Sequence, residues 1–140
     1  MASRYNKRFR REDYEWGIEQ ENKVFPVIQS FFGGNVVRAK NAKSRFDCSD
    51  TNSIYEIKSR RCNLSRYPTT VITKDKAVNI GKRIFFIFNF YDRVAYIEYD
   101  PERFRHYKDY QLSDYYDNPN WEIPIEDLTV FHRWNSGCLL

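Results

Sequence analysis

The stretch Ile54-Tyr55-Glu56-Ile57-Lys58-Ser59 places two opposite charges inside an otherwise apolar, strand-like run. Residues i and i+2 of a β-strand point to the same face, so Glu56 and Lys58 share one face. Charges beside core residues are unfavourable unless something compensates them. A divalent cation held by Glu56 and the nearby Asp47 would do so, and an ion pair on a solvated sheet face is the alternative.

The residues before this run indicate that Asp47 lies close to Glu56. Three short strand-like runs, at 35–40, 45–48 and 54–59, are separated by polar turns and predict an antiparallel meander. Asp50-Thr51-Asn52-Ser53 has turn chemistry, which would place Asp47 and Glu56 on neighbouring strands of one hairpin. A hairpin can bring both carboxylates within reach of one ion.

A helix is predicted over residues 13–32, since apolar residues recur there at helical spacing and Gly33-Gly34 follows as a stop signal. Glu21 falls on the apolar stripe of this helix, whereas Glu19 falls on the solvent side. A carboxylate on a core-facing stripe needs a partner, which a metal site or a hydrogen bond could supply. Pro26 should kink the helix or divide it near Phe25.

The rest of the chain predicts further elements and gives the order αβββαββ. Thr73 is a plausible N-cap for a helix over 74–80, after an irregular stretch at 63–70. Strands are expected at 83–90 and 94–99, followed by a short helix that Asp100 caps. Residues 107–120 indicate a loop or peripheral hairpin, and 121–131 an edge strand that Pro124 interrupts.

Size and composition favour one globular domain of 140 residues, because 41% of the residues are apolar and 18% are aromatic. Its predicted parts are a basic arm at 1–12, a core at 13–100 and a peripheral extension at 101–140. Because the N-terminal residues are polar and no long apolar run follows, we expect neither secretion nor membrane insertion. The odd number of cysteines, Cys48, Cys62 and Cys138, is typical of reduced thiols in an intracellular protein, in cytoplasm, nucleus or viral compartment.

Positive charge is concentrated in the first half of the chain, which also contains the candidate site. Residues 1–66 carry a net charge of +6 and residues 67–140 a net charge of −2. The cations of the arm are Arg4, Lys7, Arg8, Arg10 and Arg11. Such an arm is typical of contacts to a nucleic-acid backbone, and a solubilising tail is the alternative.

These parts, in this order, resemble the PD-(D/E)xK nuclease superfamily, which includes restriction enzymes, junction resolvases and repair nucleases. The family core is a helix carrying Glu, a meander carrying Asp and then Glu-x-Lys, a second helix and another strand. The corresponding parts here are Glu21, Asp47, Glu56-Ile57-Lys58, residues 74–80 and residues 83–90. Phe46 stands where the family name has proline, and Pro26 in the first helix is a second departure.

The resemblance covers residues 13–100 and implies a restriction-endonuclease-like core of the α+β or α/β class, with a mixed central sheet flanked by helices. The small size and the segment 60–76 are also similar to the compact nucleases carried by large DNA viruses. The implied enzyme is a metal-dependent phosphodiesterase acting on DNA, an endonuclease of the resolvase, repair or restriction type.

The family pattern implies that Asp47, Glu56 and the Ile57 carbonyl bind Mg²⁺, with Mn²⁺ as a substitute. Lys58 would position the attacking water and stabilise the transition state, and Glu21 would orient a water or Lys58. Glu21, Asp47, Glu56 and Lys58 are thus the candidate catalytic residues.

DNA is the expected partner, and a homodimer would supply the two sites that double-strand cleavage needs. Further phosphate contacts are expected from Arg60, Arg61, Lys74 and Lys76. Tyr67 could stack on a base, although most tyrosines serve core or surface. A nuclease-fold module that binds nucleic acid without cutting, and an interaction protein with an ion-pair network, are the alternatives.

Overall fold

The computed structural model of the chain describes residues 10–41, 44–78, 81–110 and 119–134. Its helices are α1 (Arg11–Phe32) and α2 (Pro101–Phe104), and 3-10 turns cover Leu64–Arg66, Lys74–Lys76 and Ile125–Asp127. The strands are β1 (Val37–Arg38), β2 (Cys48–Ser49), β3 (Ser53–Ser59), β4 (Thr69–Thr73), β5 (Arg83–Asn89), β6 (Arg93–Glu98), β7 (Lys108–Tyr110), β8 (Asn120–Pro124) and β9 (Thr129–Arg133).

The strands form two sheets. The larger is six-stranded in the order β1-β2-β3-β5-β6-β9, and the smaller is three-stranded in the order β4-β8-β7. Within the larger sheet β3 pairs with β5 in parallel, while the other neighbours are antiparallel, so the expected mixed sheet is confirmed. The fold is therefore of the α+β class.

The central strands β3 and β5 of the larger sheet are buried on both faces because α1 packs on one face and the smaller sheet on the other. Alternation along β3 and β5 sends Tyr55, Ile57, Phe85 and Ile87 toward the buried Val24 and Ile28 of α1. Ile54, Ile84, Phe86 and Phe88 point the other way, toward Ile72, Trp121, Ile123 and Phe104. Glu56 and Lys58 alternate in step with Ile54 and therefore lie on the same face of the sheet as this second set.

Much of the predicted organisation is confirmed. The first helix is present but is not divided near Phe25, since it continues through Pro26, and the meander expected from 35–40, 45–48 and 54–59 is present as β1, β2 and β3. β5 and β6 lie where strands were expected, and Asp100 caps α2 by accepting the Glu102 N–H at 3.1 Å. No helix among the described residues is long and apolar enough to cross a membrane.

Two expectations after β3 are wrong. In place of a helix over 74–80, of which 79–80 lie outside the described residues, a 3-10 turn covers Lys74–Lys76. The β-branched run before it forms β4 and pairs with β8, so the chain arrives extended and Thr73 makes no side-chain cap. The predicted order αβββαββ therefore fails at its second helix, where a strand and a turn stand instead.

The expected single edge strand over 121–131 is also two strands that belong to different sheets. Pro124 ends β8, and β9 continues in the larger sheet as the neighbour of β6. The region after residue 100, expected to be peripheral, supplies the buried Phe104, Trp121 and Ile123 to the core.

Asn89, at the end of β5, ties α1 to the sheet beside the candidate site. Its buried side-chain amide donates to Gln20 Oε1 at 3.1 Å and to Ser59 Oγ at 3.0 Å. Its side-chain Oδ1 accepts the Trp134 indole N–H at 2.9 Å. One buried polar group thus joins α1, β3 and the chain after β9.

We expect Asn89→Ala to lower the free energy of unfolding by about 1–3 kcal/mol, because buried partners lose their hydrogen bonds. Urea denaturation measures this, with the exposed Asn63→Ala as control and a change below about 0.5 kcal/mol expected there. Equal effects of the two substitutions would show that the Asn89 network does not hold α1 on the sheet.

Candidate functional site

Asp47 lies where β2 begins and uses its side chain to continue the pairing with β3. Its backbone N–H donates to the Tyr55 carbonyl at 3.1 Å, and its Oδ2 accepts the Ile57 N–H at 2.7 Å. Since N–H and C=O of one strand residue point to the same edge, the Ile57 carbonyl also faces Asp47. Because β2 begins only at Cys48, the edge of β3 at Ile57 faces the Asp47 carboxylate and not a neighbouring strand.

Glu56 is a buried carboxylate held between two lysines. Only 4% of the residue is exposed, and its Oε2 lies 3.2 Å from Lys58 Nζ and its Oε1 3.4 Å from Lys76 Nζ. Oε1 has no hydrogen-bond partner among the described residues, so its contact with Lys76 is ionic only. A buried carboxylate oxygen without a hydrogen bond is uncommon, and a bound cation is one of the groups that would satisfy it.

The two lysines differ in their other contacts. Lys58 extends along β3 with 34% of its side chain exposed, so its ammonium can reach a bound anion. Lys76 comes from the turn after β4 and also donates to the Arg45 carbonyl at 2.8 Å. Lys76, for which the sequence predicted a phosphate contact, lies in the Glu56 environment.

Glu21 lies on α1 and is half-buried, whereas Glu19 is exposed, as the helical stripe predicted. Its Oε1 lies 3.5 Å from the Arg38 guanidinium, which also donates to Asn22 Oδ1 at 2.9 Å. Burial, and then the Asp47 carboxylate, raise the pKa of Glu21, while Arg38 lowers it. Glu21 thus lies within the electrostatic field of the site, with an arginine of its own.

Burial also dominates at Glu56 and raises the pKa of its carboxyl group, and the Asp47 charge raises it further. Lys58 and Lys76 act in the opposite direction. Crowded carboxylates that resist ionisation are typical of sites that receive a proton or a cation.

A cleft of about 390 Å³ opens beside these groups, between α1 and the end of β3. Its lining includes Glu21, Ile57, Lys58, Ser59, Trp16 and Arg61. The cleft gives a ligand access to Lys58 from the α1 side of the sheet.

The residues offer a partial ligand set for a hard cation. Mg²⁺ is commonly bound through one or two carboxylates while it keeps several waters, and Asp47, Glu56 and the Ile57 carbonyl match that oxygen set. The buried Glu56 Oε1 without a hydrogen-bond partner is the observation that favours a cation here. Within the described parts of the chain no three His, Cys, Asp or Glu side chains cluster closely enough to ligate one ion by themselves.

Of the nucleic-acid contacts predicted in the arm, the structure describes only Arg10 and Arg11. Arg4, Lys7 and Arg8 lie outside the described residues. Arg10 is exposed, and Arg11 begins α1 with its guanidinium 4.0 Å from Glu15.

The remaining predicted contacts divide into internal and exposed cations. The Arg60 guanidinium donates to Thr70 Oγ1 and to the Val71 carbonyl, so it serves the fold. Lys74 pairs with Asp109 at the surface.

Arg61 is half-exposed at the rim of the cleft. It lies 3.1 Å from Asp13 Oδ1 and stacks over the Trp16 ring at 4.1 Å from its centroid. Asp13, Trp16 and the Arg38 partner of Glu21 are site components that sequence reasoning missed. The position of Arg38 in the first strand-like run, beside the predicted helix, was the one available signal.

The chain matches no protein family model, no curated protein and no solved structure. The function must therefore be argued from the residues and their geometry.

The raised pKa of Glu56 predicts a specific pH dependence of stability. The folded state holds this proton more tightly than the unfolded state, so stability falls as pH rises through and above the usual glutamate pKa of about 4.3. Glu56→Gln removes this titration. We expect its unfolding free energy, measured by urea denaturation across pH, to fall less steeply toward neutrality than that of the wild type.

The exposed Glu126 provides the control, and Glu126→Gln should follow the wild-type profile. A Glu56→Gln profile parallel to that of the wild type would contradict the raised pKa.

Proposed function

We propose that the chain is a Mg²⁺-dependent nuclease that hydrolyses phosphodiester bonds in DNA and cuts as an endonuclease. The observation that carries this is the meeting of Asp47 with Glu56-Ile57-Lys58 at the open edge of β3. There the Asp47 carboxylate accepts the Ile57 N–H at 2.7 Å, its charge acts on Glu56, and the partly exposed Lys58 ammonium lies 3.2 Å from Glu56. Lys58 can thus serve a phosphate that a cation on these oxygens attracts.

The resemblance to the PD-(D/E)xK nucleases supports the same proposal. A helix carrying Glu21 precedes the meander β1-β2-β3, and β5 then joins the sheet beside β3. The departure is the turn at Lys74–Lys76, where the family core has its second helix. It brings Lys76 to Glu56 and removes none of the four candidate catalytic groups.

In the proposed reaction Asp47, Glu56 and the Ile57 carbonyl would hold Mg²⁺. When bound, the ion supplies positive charge that neutralises the scissile phosphate and makes a nearby water more acidic. Lys58 donates a hydrogen bond to the phosphoryl oxygen that gains charge, and Glu56 fixes the position of that ammonium. Glu21 orients Lys58 or a water from the α1 side of the cleft.

Partners and location follow from the same proposal. DNA is the partner, and a homodimer would place two sites on a duplex. An intracellular setting suits the free Cys48 and Cys62, and burial raises the pKa of the Cys48 thiol to about 12, which keeps it unreactive.

A nucleic-acid-binding module without activity is a second candidate, and one observation favours it. Lys58 and Lys76 both pair with Glu56, so the buried carboxylate is already compensated by cations of the chain itself. Such an ion-pair network is stable without a metal, and it could be what remains of a former site.

Cleavage of plasmid, linear and branched DNA in Mg²⁺ or Mn²⁺ tests the proposal. We expect Asp47→Asn and Lys58→Met each to lower the cleavage rate by about 100-fold or more, because each removes a group that acts on the transition state. Lys108→Met, at an exposed lysine of β7, should cleave at the wild-type rate.

Thermal melts of the same variants show whether each of them folds. Cleavage that survives both substitutions would refute the mechanism. Absence of cleavage with tight, salt-sensitive DNA binding would support the inactive module, and absence of both would support an interaction protein.

A further inference from the structure

A second groove, of about 530 Å³, lies beside Arg61. It runs between the segment after β3 and the smaller sheet, and Arg61 lines both this groove and the cleft beside Lys58. A polymer bound in the cleft can therefore continue into the groove. We call it the Tyr67 groove, after its most exposed aromatic residue.

The Tyr67 groove combines aromatic rings with positive charge. Tyr67 and Tyr110 line it and are 55% and 40% exposed, and the Arg66 guanidinium lies 4.8 Å from the centre of the Tyr67 ring. Arg61 and Arg66 are exposed cations of its lining, and none of the described residues that line it is acidic. Exposed aromatic rings beside cations in one groove are the combination on which unpaired bases and their phosphates bind.

This combination suits unpaired nucleotides better than a duplex. Bases stack on tyrosine rings only when they are splayed out of a double helix, and their phosphates then pair with neighbouring arginines. The buried Arg60 forms part of the groove wall, since its guanidinium is bonded to Thr70 and Val71. Arg61 and Arg66 are the exposed cations of the lining that can meet phosphates, and Arg61 would exchange its surface pairing with Asp13 for one.

We propose that the Tyr67 groove binds a single-stranded DNA segment that continues from the phosphate in the cleft. The substrate would then be DNA with an unpaired flank, such as an overhang or flap. The identity of the substrate rests on the proposed nuclease function, whereas binding of the single strand by the groove does not.

Fluorescence anisotropy with a labelled single strand of about 12 nucleotides, in EDTA so that no cleavage occurs, tests the binding step. We expect Tyr67→Ala to weaken binding of the single strand by about 5-fold to 100-fold, because a stacking platform is lost. Tyr67→Phe keeps the ring and should bind within about 2-fold of the wild type, as should Tyr91→Ala, at a tyrosine of equal exposure outside the groove.

The salt dependence tests the arginine separately. Arg66→Ala should reduce the slope of log affinity against log salt by about 0.7, the value for one phosphate contact to a single strand. Equal binding of single strand and duplex by the wild type, with both unchanged in Tyr67→Ala, would overturn the proposal.

A cleavage assay in Mg²⁺ separates this inference from the proposed function. Wild type should cut a duplex with an overhang faster than a blunt duplex, Tyr67→Ala should lose that preference, and Tyr91→Ala, outside the groove, should keep it. Cleavage that depends on Lys58 but shows no such preference would refute the groove as a substrate site and leave the nuclease standing. Binding that depends on Tyr67 without any cleavage would support the groove and refute the nuclease.

Discussion

The hydrogen bond from the Ile57 N–H to the Asp47 carboxylate is the interaction on which the rest of the site depends. It replaces a backbone pairing that β2, only two residues long, does not extend to make. Because a side chain takes this place, a carboxylate stands next to β3 where a strand would otherwise cover its edge. Of the neighbouring groups, Ile57 and the partly exposed Lys58 line the cleft beside α1, whereas Glu56 is buried next to them.

Charge balance explains how so many carboxylates can lie together. Glu21, Asp47 and Glu56 lie within one another's fields and are offset by three cations, Arg38, Lys58 and Lys76. The cluster is thus close to neutral by itself, which keeps the cost of burying Glu56 tolerable. A bound divalent cation would make the cluster positive overall, and a positive cleft attracts the phosphates of DNA.

Patterns within a short stretch of chain were sufficient to predict α1, the meander, β5 and β6. Period-two alternation in β3 identified Glu56 and Lys58 as neighbours, and turn residues after Asp50 placed Asp47 beside them. The failures have one physical origin, which is pairing between distant segments. The stretch before Lys74 carries no local signal for the β4–β8 pairing, after which Lys74–Lys76 form a 3-10 turn.

The ion-pair partners of the site carboxylates could not be predicted from the sequence for the same reason. Nothing near Lys76 indicates that its ammonium lies against Glu56, because tertiary packing brings the turn after β4 onto β3. Arg38 likewise meets Glu21 only when α1 lies across the meander. Sequence reasoning found the charged groups of the site but could not assign the cations that hold them.

Isothermal titration with Mn²⁺ tests the central claim, that the edge of β3 beside Asp47 and Glu56 is a cation site. The wild type should bind Mn²⁺, Mg²⁺ should compete with it, and Asp47→Asn should abolish the binding. Glu126→Gln, at an exposed glutamate outside the site, should leave the binding unchanged. Absence of Mn²⁺ binding in the wild type, or equal binding by Asp47→Asn, would contradict the account.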